Sequence, residues 1–168
     1  MRLTFALIPL AFLAGCTKPA PTPAPAQEAT ETYHYPPRPT VPAPPIKLFH
    51  QDEDTLTLTT IPNATDDQVA AILWQLHDTF RAHTFAALHL PQTFIDARHP
   101  KIWFHIYRGP KCANEKFTHG KYPCGAKYNG AGDYTLGSLN NPNYEEAALR
   151  HADGSETALW NPEAPPKP

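Results

Sequence analysis

Proline constrains the folding of this 168-residue chain more than any other residue type. Of its 21 prolines, ten lie between residues 19 and 45, interleaved with Ala, Thr and Glu. Proline fixes φ and has no backbone N–H, so this tract can neither continue a helix nor pair inside a sheet. We predict a disordered linker over residues 16–45, extended like polyproline II at about 3.1 Å per residue. It would act as a stalk or, alternatively, dock into a partner's aromatic groove. A further proline cluster predicts a disordered tail over residues 162–168.

Residues 1–15 have the composition of a secretory leader. Arg2 precedes an apolar run over residues 3–13, which is about half the ~20 residues that a membrane-spanning helix needs. Small residues then precede a cysteine, in the order Leu13-Ala14-Gly15-Cys16. This motif resembles the lipobox of bacterial lipoproteins. The resemblance implies cleavage before Cys16, a diacylglyceryl group on its thiol and acylation of the new N-terminus. The alternative is an ordinary signal peptide followed by a chance cysteine.

The lipobox resemblance also implies a location. One acyl chain binds a membrane reversibly, whereas two or more attach a protein stably. Three chains on Cys16 would therefore make the membrane a partner without any spanning helix. In Gram-negative lipoproteins, a residue such as Thr17 after the cysteine, rather than aspartate, implies sorting to the outer membrane. We expect the protein on the periplasmic face of that membrane.

The predicted globular domain spans residues 46–161, which is long enough for one hydrophobic core. The full chain has 14 Lys and Arg against 16 Asp and Glu, and removing Arg2 with the leader leaves 14 − 1 = 13 cations. This weakly acidic chain has no basic stripe, which argues against nucleic acid as a partner.

An amphipathic helix is predicted over residues 66–83, with Thr65 and Gln68 matching a capping box. Its apolar residues recur at helical spacing: Val69, Ile72, Leu73, Leu76 and Phe80. Trp74 lies off this stripe, so we expect it to pack under Leu48 and Phe49 or to mark a contact surface.

Alternating or β-branched sequences predict strands over residues 55–59, 101–107 and 133–139. An Asp-Gly turn predicts a hairpin of residues 147–151 and 156–160. This order predicts an α+β domain of two layers, in which the main helix crosses one face of an antiparallel or mixed sheet of four to five strands.

Cys112 and Cys124 are the cysteines that remain once Cys16 is acylated. An even pair within one loop of a secreted protein predicts a disulfide. A zinc site that adds His119 is the alternative, but these residues lack the spacing of known zinc motifs. The nine histidines are scattered without a metal-binding motif, so we predict neither a metal nor another cofactor.

The strand over residues 101–107 should place Ile102, Phe104 and Ile106 against the helix. Its other face would then carry three residues that combine aromatic surface with polar groups, and two more would lie near its rim. We take these five as the candidate binding patch: Trp103, His105, Tyr107, Arg108 and Tyr128. Alternatively, the loop over residues 110–131 or the stalk covers this face.

No known nucleophile motif is present. We therefore expect a lipid-anchored envelope protein whose domain binds a ligand or partner without catalysis. The first alternative is a small hydrolase or transferase that uses His105 or His119 with Asp133. The second is a structural or assembly accessory of an envelope complex, with another envelope protein or the cell wall as its partner.

Overall fold

Six strands in chain order form one mixed β-sheet. The structure is a computed structural model that describes residues 34–99, 101–114, 116, 124 and 130–161. Strands β2 and β3 pair in parallel, and every other neighbouring pair is antiparallel. The predicted α+β class and mixed sheet are confirmed, with one strand more than the upper bound expected. The strands are β1 Lys47–Asp52, β2 Thr55–Thr60, β3 Ile102–Arg108, β4 Gly132–Leu136, β5 Glu145–Arg150 and β6 Glu156–Ala158.

The helices lie mainly in the crossover between β2 and β3, which a parallel pair requires. Helix α1 spans Asp66–Arg81, a 3₁₀ turn spans Phe85–Leu88 and helix α2 spans Gln92–Arg98. A short helix, α3, follows β3 at Pro110–Ala113. Within the described ranges, no helix is both long and apolar enough to cross a membrane.

Helix α1 begins at the predicted capping box. The Thr65 hydroxyl accepts a hydrogen bond from the Gln68 backbone N–H, and the Gln68 side chain accepts one from the Thr65 N–H. The helix ends at Arg81, two residues earlier than predicted, and His83 then adopts a φ of 52°. That left-handed conformation cannot continue an α-helix.

The core lies between α1 and one face of the sheet. Ile102, Phe104 and Ile106 are completely buried, as expected for the helix-facing side of β3. The helix comes close to the sheet at Gly132 on β4, where a Cβ would lie 3.0 Å from Leu73 Cδ1 on α1. Glycine at this position therefore lets the helix lie directly on the sheet.

Trp74 neither packs under Leu48 and Phe49 nor lies on an exposed contact surface, so both predictions for it are wrong. The indole is 8% exposed and lies 4.7 Å from the ring of Trp160, centroid to centroid, whereas Leu48 and Phe49 are both more than a third exposed. Trp74 therefore packs against Trp160 instead of under β1. Trp160 lies next to β6, so no local pattern in α1 could identify this contact.

Residues 34–46, here called the strap, have little regular secondary structure and contact the domain. Arg38 forms an ion pair with Asp78 of α1, and its guanidinium carbon lies 5.0 Å from the centre of the Trp74 ring. Further along, the Thr60 hydroxyl donates to the Pro45 carbonyl at 3.0 Å, and Pro44 is buried. These contacts extend the folded unit upstream of residue 46, where the sequence places its start.

Cys112, in α3, and Cys124 form a disulfide in the structure. Most of the loop between them lies outside the described residues, and so does His119, the third ligand of the alternative zinc site.

Candidate functional site

A row of charged side chains crosses the sheet face that points away from α1. His105 on β3 pairs in register with Asp133 on β4, so both side chains point to the same face. His105 Nδ1 lies 2.7 Å from Asp133 Oδ1, and Arg150 Nε on β5 lies 2.5 Å from Asp133 Oδ2. Arg150 also contacts Glu156 on β6 at 2.9 Å. We call Trp103, His105, Asp133, Arg150 and Glu156 the polar face.

Asp133 is the centre of this row. Burial alone raises the pKa of its carboxyl group, but the hydrogen bond and charge of His105 and the charge of Arg150 outweigh burial, and the pKa is lowered overall. Burial by itself lowers the pKa of Arg150, yet Asp133 more than compensates and raises it. Asp133 is therefore a carboxylate at neutral pH, with a cation fixed against one of its oxygens.

The contact with Asp133 fixes the tautomer of the neutral His105 ring. A carboxylate only accepts hydrogen bonds, so Nδ1 of the neutral ring carries the hydrogen and Nε2 keeps its lone pair. The side chain of His105 is 40% exposed, while that of Asp133 is 18% exposed. A fixed, accessible imidazole can accept a proton or a ligand hydrogen bond at Nε2.

The predicted binding patch is only partly assembled. Trp103 is half-buried on the polar face, and Lys101 Nζ lies 4.9 Å from its ring centre. Tyr107 is 7% exposed, so it is buried where an accessible side chain was expected. Burial, followed by the charge of Asp133, raises the pKa of the Tyr107 phenol.

Arg108 does not join the patch in the structure. Strand alternation turns Arg108 to the helix side, where its Nε donates to the Ala64 carbonyl at 2.7 Å and its Nη2 contacts Asp66 at 2.5 Å. Tyr128 lies outside the described residues.

Sequence reasoning missed Arg150 and Glu156 as members of the site. Both lie in the predicted hairpin of β5 and β6, where they are register partners. A cation opposite an acid in a hairpin is a detectable signal for a cross-strand pair. The contact of Arg150 with Asp133 depends on the pairing of β4 with β5, which no local sequence pattern predicts.

A second carboxylate cluster lies on the opposite face, inside the core. Glu145 is 2% exposed, and its Oε1 lies 2.5 Å from both His77 Nδ1 and the Tyr134 hydroxyl. Arg81 donates to Oε2 at 2.9 Å. Burial raises the pKa of Glu145, but the hydrogen bonds from His77 and Tyr134, with the nearby charges, lower it overall.

The buried cluster is closed off from ligands. His77 is 5% exposed, and its ring packs 5.1 Å from that of Trp160, whose indole N–H donates to the Glu145 carbonyl. Burial, followed by the charge and hydrogen bond of Glu145, raises the pKa of Tyr134 well above its ordinary value. The cluster therefore holds α1, β4 and β5 together, whereas the polar face is the candidate site.

Among the described side chains, no three His, Cys, Asp or Glu residues converge in a geometry that would hold a metal ion. Comparison of the chain with protein-family models, curated proteins and solved structures finds no match.

Proposed function

We propose that this protein is a lipoprotein of the bacterial cell envelope whose folded domain is a binding module. The leader and the motif Leu13-Ala14-Gly15-Cys16 support lipid attachment at Cys16. The anchor would place the protein on a membrane, with Thr17 favouring the outer membrane and its periplasmic face. The proline-rich residues between Cys16 and the strap would separate the domain from the lipid.

The observation that carries the binding proposal is the row from His105 through Asp133 to Arg150. Its distances of 2.7 Å and 2.5 Å fix the polar groups before any ligand arrives. Fixed groups lose less conformational entropy on binding than free ones do. Trp103 adds a planar apolar surface with a polar N–H, a combination that is enriched at interfaces. The polar face therefore favours a polar partner such as another envelope protein or a cell-wall component.

The contact between His105 and Asp133 also supports a second candidate, a small hydrolase or transferase. A carboxylate that orients an imidazole is the arrangement of a general base, which must then reach a substrate proton through Nε2. His119, the other base considered for this role, lies outside the described residues.

Processing experiments test the anchor. Globomycin, an inhibitor of lipoprotein signal peptidase, should cause the precursor to accumulate, and Cys16→Ser should release the protein from the membrane. Unchanged processing and membrane attachment in both experiments would contradict lipidation of Cys16.

Cross-linking in intact cells, followed by mass spectrometry, tests the binding module. His105→Ala and Asp133→Ala should each abolish cross-links that the wild-type protein forms. His34→Ala, which changes an exposed histidine of the strap, should preserve them. Identical cross-links in all four proteins would exclude the polar face as the binding surface.

The catalytic alternative makes a separate prediction. If His105 acts as a base, His105→Gln should eliminate turnover while preserving partner cross-links, because glutamine can still hydrogen-bond. Loss of cross-links without any turnover in the wild-type protein would favour binding alone.

A further inference from the structure

A separate histidine–carboxylate pair lies where the last hairpin meets the start of α1. His151 follows β5, and its Nδ1 lies 2.7 Å from Oδ2 of Asp66. Its Nε2 lies 2.8 Å from the hydroxyl oxygen of Thr157 on β6. A carboxylate and a hydroxyl thus engage opposite nitrogens of one imidazole. Enzymes with a hydroxyl nucleophile share this connectivity, in which the carboxylate orients the base and the base activates the hydroxyl.

Different elements of the fold position Asp66, His151 and Thr157. Thr157 is held by its pairing with Leu149 across the hairpin, and Asp66 is the first residue of α1. The other oxygen of Asp66 contacts Arg108 Nη2 at 2.5 Å. Arg108 therefore acts as a positioning residue, because it fixes the carboxylate that in turn orients His151.

The three side chains line a cleft of about 550 Å³ between the strap and the rest of the domain. This volume lies in the range of small-molecule sites. The side chains of His151 and Asp66 are 30% and 48% exposed, so the set is accessible. Much of the remaining wall is apolar: Pro36, Pro39, Val41, Ala70, Leu149 and Leu159. Such a wall favours a small substrate with an apolar acyl group.

We propose that Thr157, His151 and Asp66 form a catalytic triad that hydrolyses small carboxylic esters with apolar acyl groups. The Thr157 oxygen attacks the ester carbonyl carbon while His151 Nε2 takes the hydroxyl proton. The carbonyl-to-alkoxy bond then breaks, and the alcohol leaves with the proton from His151. Water, deprotonated by His151, attacks the acyl–Thr157 ester, which releases the carboxylic acid and restores the hydroxyl.

Ester hydrolysis by the full-length mature protein in detergent tests the triad, with p-nitrophenyl butyrate as substrate. A fluorophosphonate probe, followed by peptide mass spectrometry, tests whether Thr157 is the nucleophile. Thr157→Ala and His151→Gln should each lower kcat by about 100-fold or more. Thr157→Ser should retain turnover and labelling, because it keeps the hydroxyl. Thr84→Ala and His99→Gln are matched controls at exposed positions outside the cleft, and both should behave as wild type.

Two results would overturn the triad. One is a wild-type protein whose Thr157 acquires no probe adduct and whose ester turnover does not exceed the uncatalysed rate in buffer. The other is an adduct at a different residue that accounts for the turnover. The wild-type labelling experiment decides the question even if Thr157→Ala fails to fold.

Discussion

Glu145→Ala will remove the acceptor that three donors share inside the core. The carboxylate is 2% exposed, and two of its donors, His77 and Tyr134, are 5% and 0% exposed. Water cannot readily replace the lost acceptor at either group. The third donor, Arg81, has a side chain that is 51% exposed and can turn to solvent.

The expected loss follows from this difference in exposure. Leaving a buried donor unsatisfied costs about 1–3 kcal/mol, so His77 and Tyr134 together give about 2–6 kcal/mol. Breaking a buried ion pair by removing one partner typically costs about 3–5 kcal/mol. We therefore expect Glu145→Ala to lower the free energy of unfolding by about 3–5 kcal/mol, a large part of the about 5–15 kcal/mol of an ordinary domain.

Urea unfolding followed by tryptophan fluorescence measures this loss, because Trp74 and Trp160 both pack against His77. Glu146→Ala is the matched control. Glu146 is the next residue on β5, points to the opposite face and accepts a hydrogen bond from Tyr144. The Glu146→Ala substitution should change the free energy of unfolding by less than about 1 kcal/mol. Similar losses for the two alanine variants would refute the reasoning.

The same cluster predicts how stability depends on pH. Because the pKa of Glu145 is lower in the folded state, the unfolded state binds more protons in acid. The stabilisation is fully present above the unfolded pKa, near 4.3, and is lost as the pH falls through the lowered folded value. Glu145→Gln cannot titrate at this position, so its stability should fall less steeply below about pH 4 than that of the wild type. Parallel acid profiles would contradict an ionised Glu145.

Two further substitutions test contacts of α1. Gly132→Ala should lower the free energy of unfolding in urea by about 1–3 kcal/mol, because the added methyl group would lie 3.0 Å from Leu73. The control Gly130→Ala should be tolerated, because its nearest neighbour would lie 3.6 Å away. Equal effects of the two variants would contradict the close helix–sheet approach. Arg38→Ala should increase acrylamide quenching of Trp74, because the guanidinium lies over the indole ring. It should change the free energy of unfolding by at most about 1 kcal/mol, because the ion pair with Asp78 is exposed. Unchanged quenching would mean that Arg38 does not shield the indole.

The sequence predicts α1 and most of the sheet because their signals are local. The helical spacing and the pair Thr65–Gln68 identify α1, and alternation identifies β3. Strand β1 lacks such a signal, since its residues are exposed or half-buried and its register shifts between Leu48 and His50. The short helix α2 and the 3₁₀ turn have too few residues to show a clear periodic spacing of apolar residues.

The site is less predictable because it depends on pairing across strands. Strand alternation predicts that His105 points away from α1, and the catalytic alternative pairs it with Asp133, its register partner on β4. Arg150 cannot be assigned to the site from a local pattern, because its contact with Asp133 requires β5 to lie beside β4. The adjacent pair Glu145 and Glu146 contains an unused signal: neighbouring strand residues point to opposite faces, so one glutamate faces the helix layer.

His77, His105 and His151 each contact a carboxylate, and their accessibility distinguishes their roles. His77 is closed in the core at 5% exposure, whereas the side chains of His105 and His151 are 40% and 30% exposed. Diethylpyrocarbonate acylates accessible imidazole nitrogens. We therefore expect rapid modification of His105, slower modification of His151 because Thr157 engages its Nε2, and none of His77 until the protein unfolds. Peptide mass spectrometry over a time course measures the three rates. Modification of His77 at the rate of His105 would show that the Glu145 cluster opens in the native state and would remove the basis for treating it as purely structural.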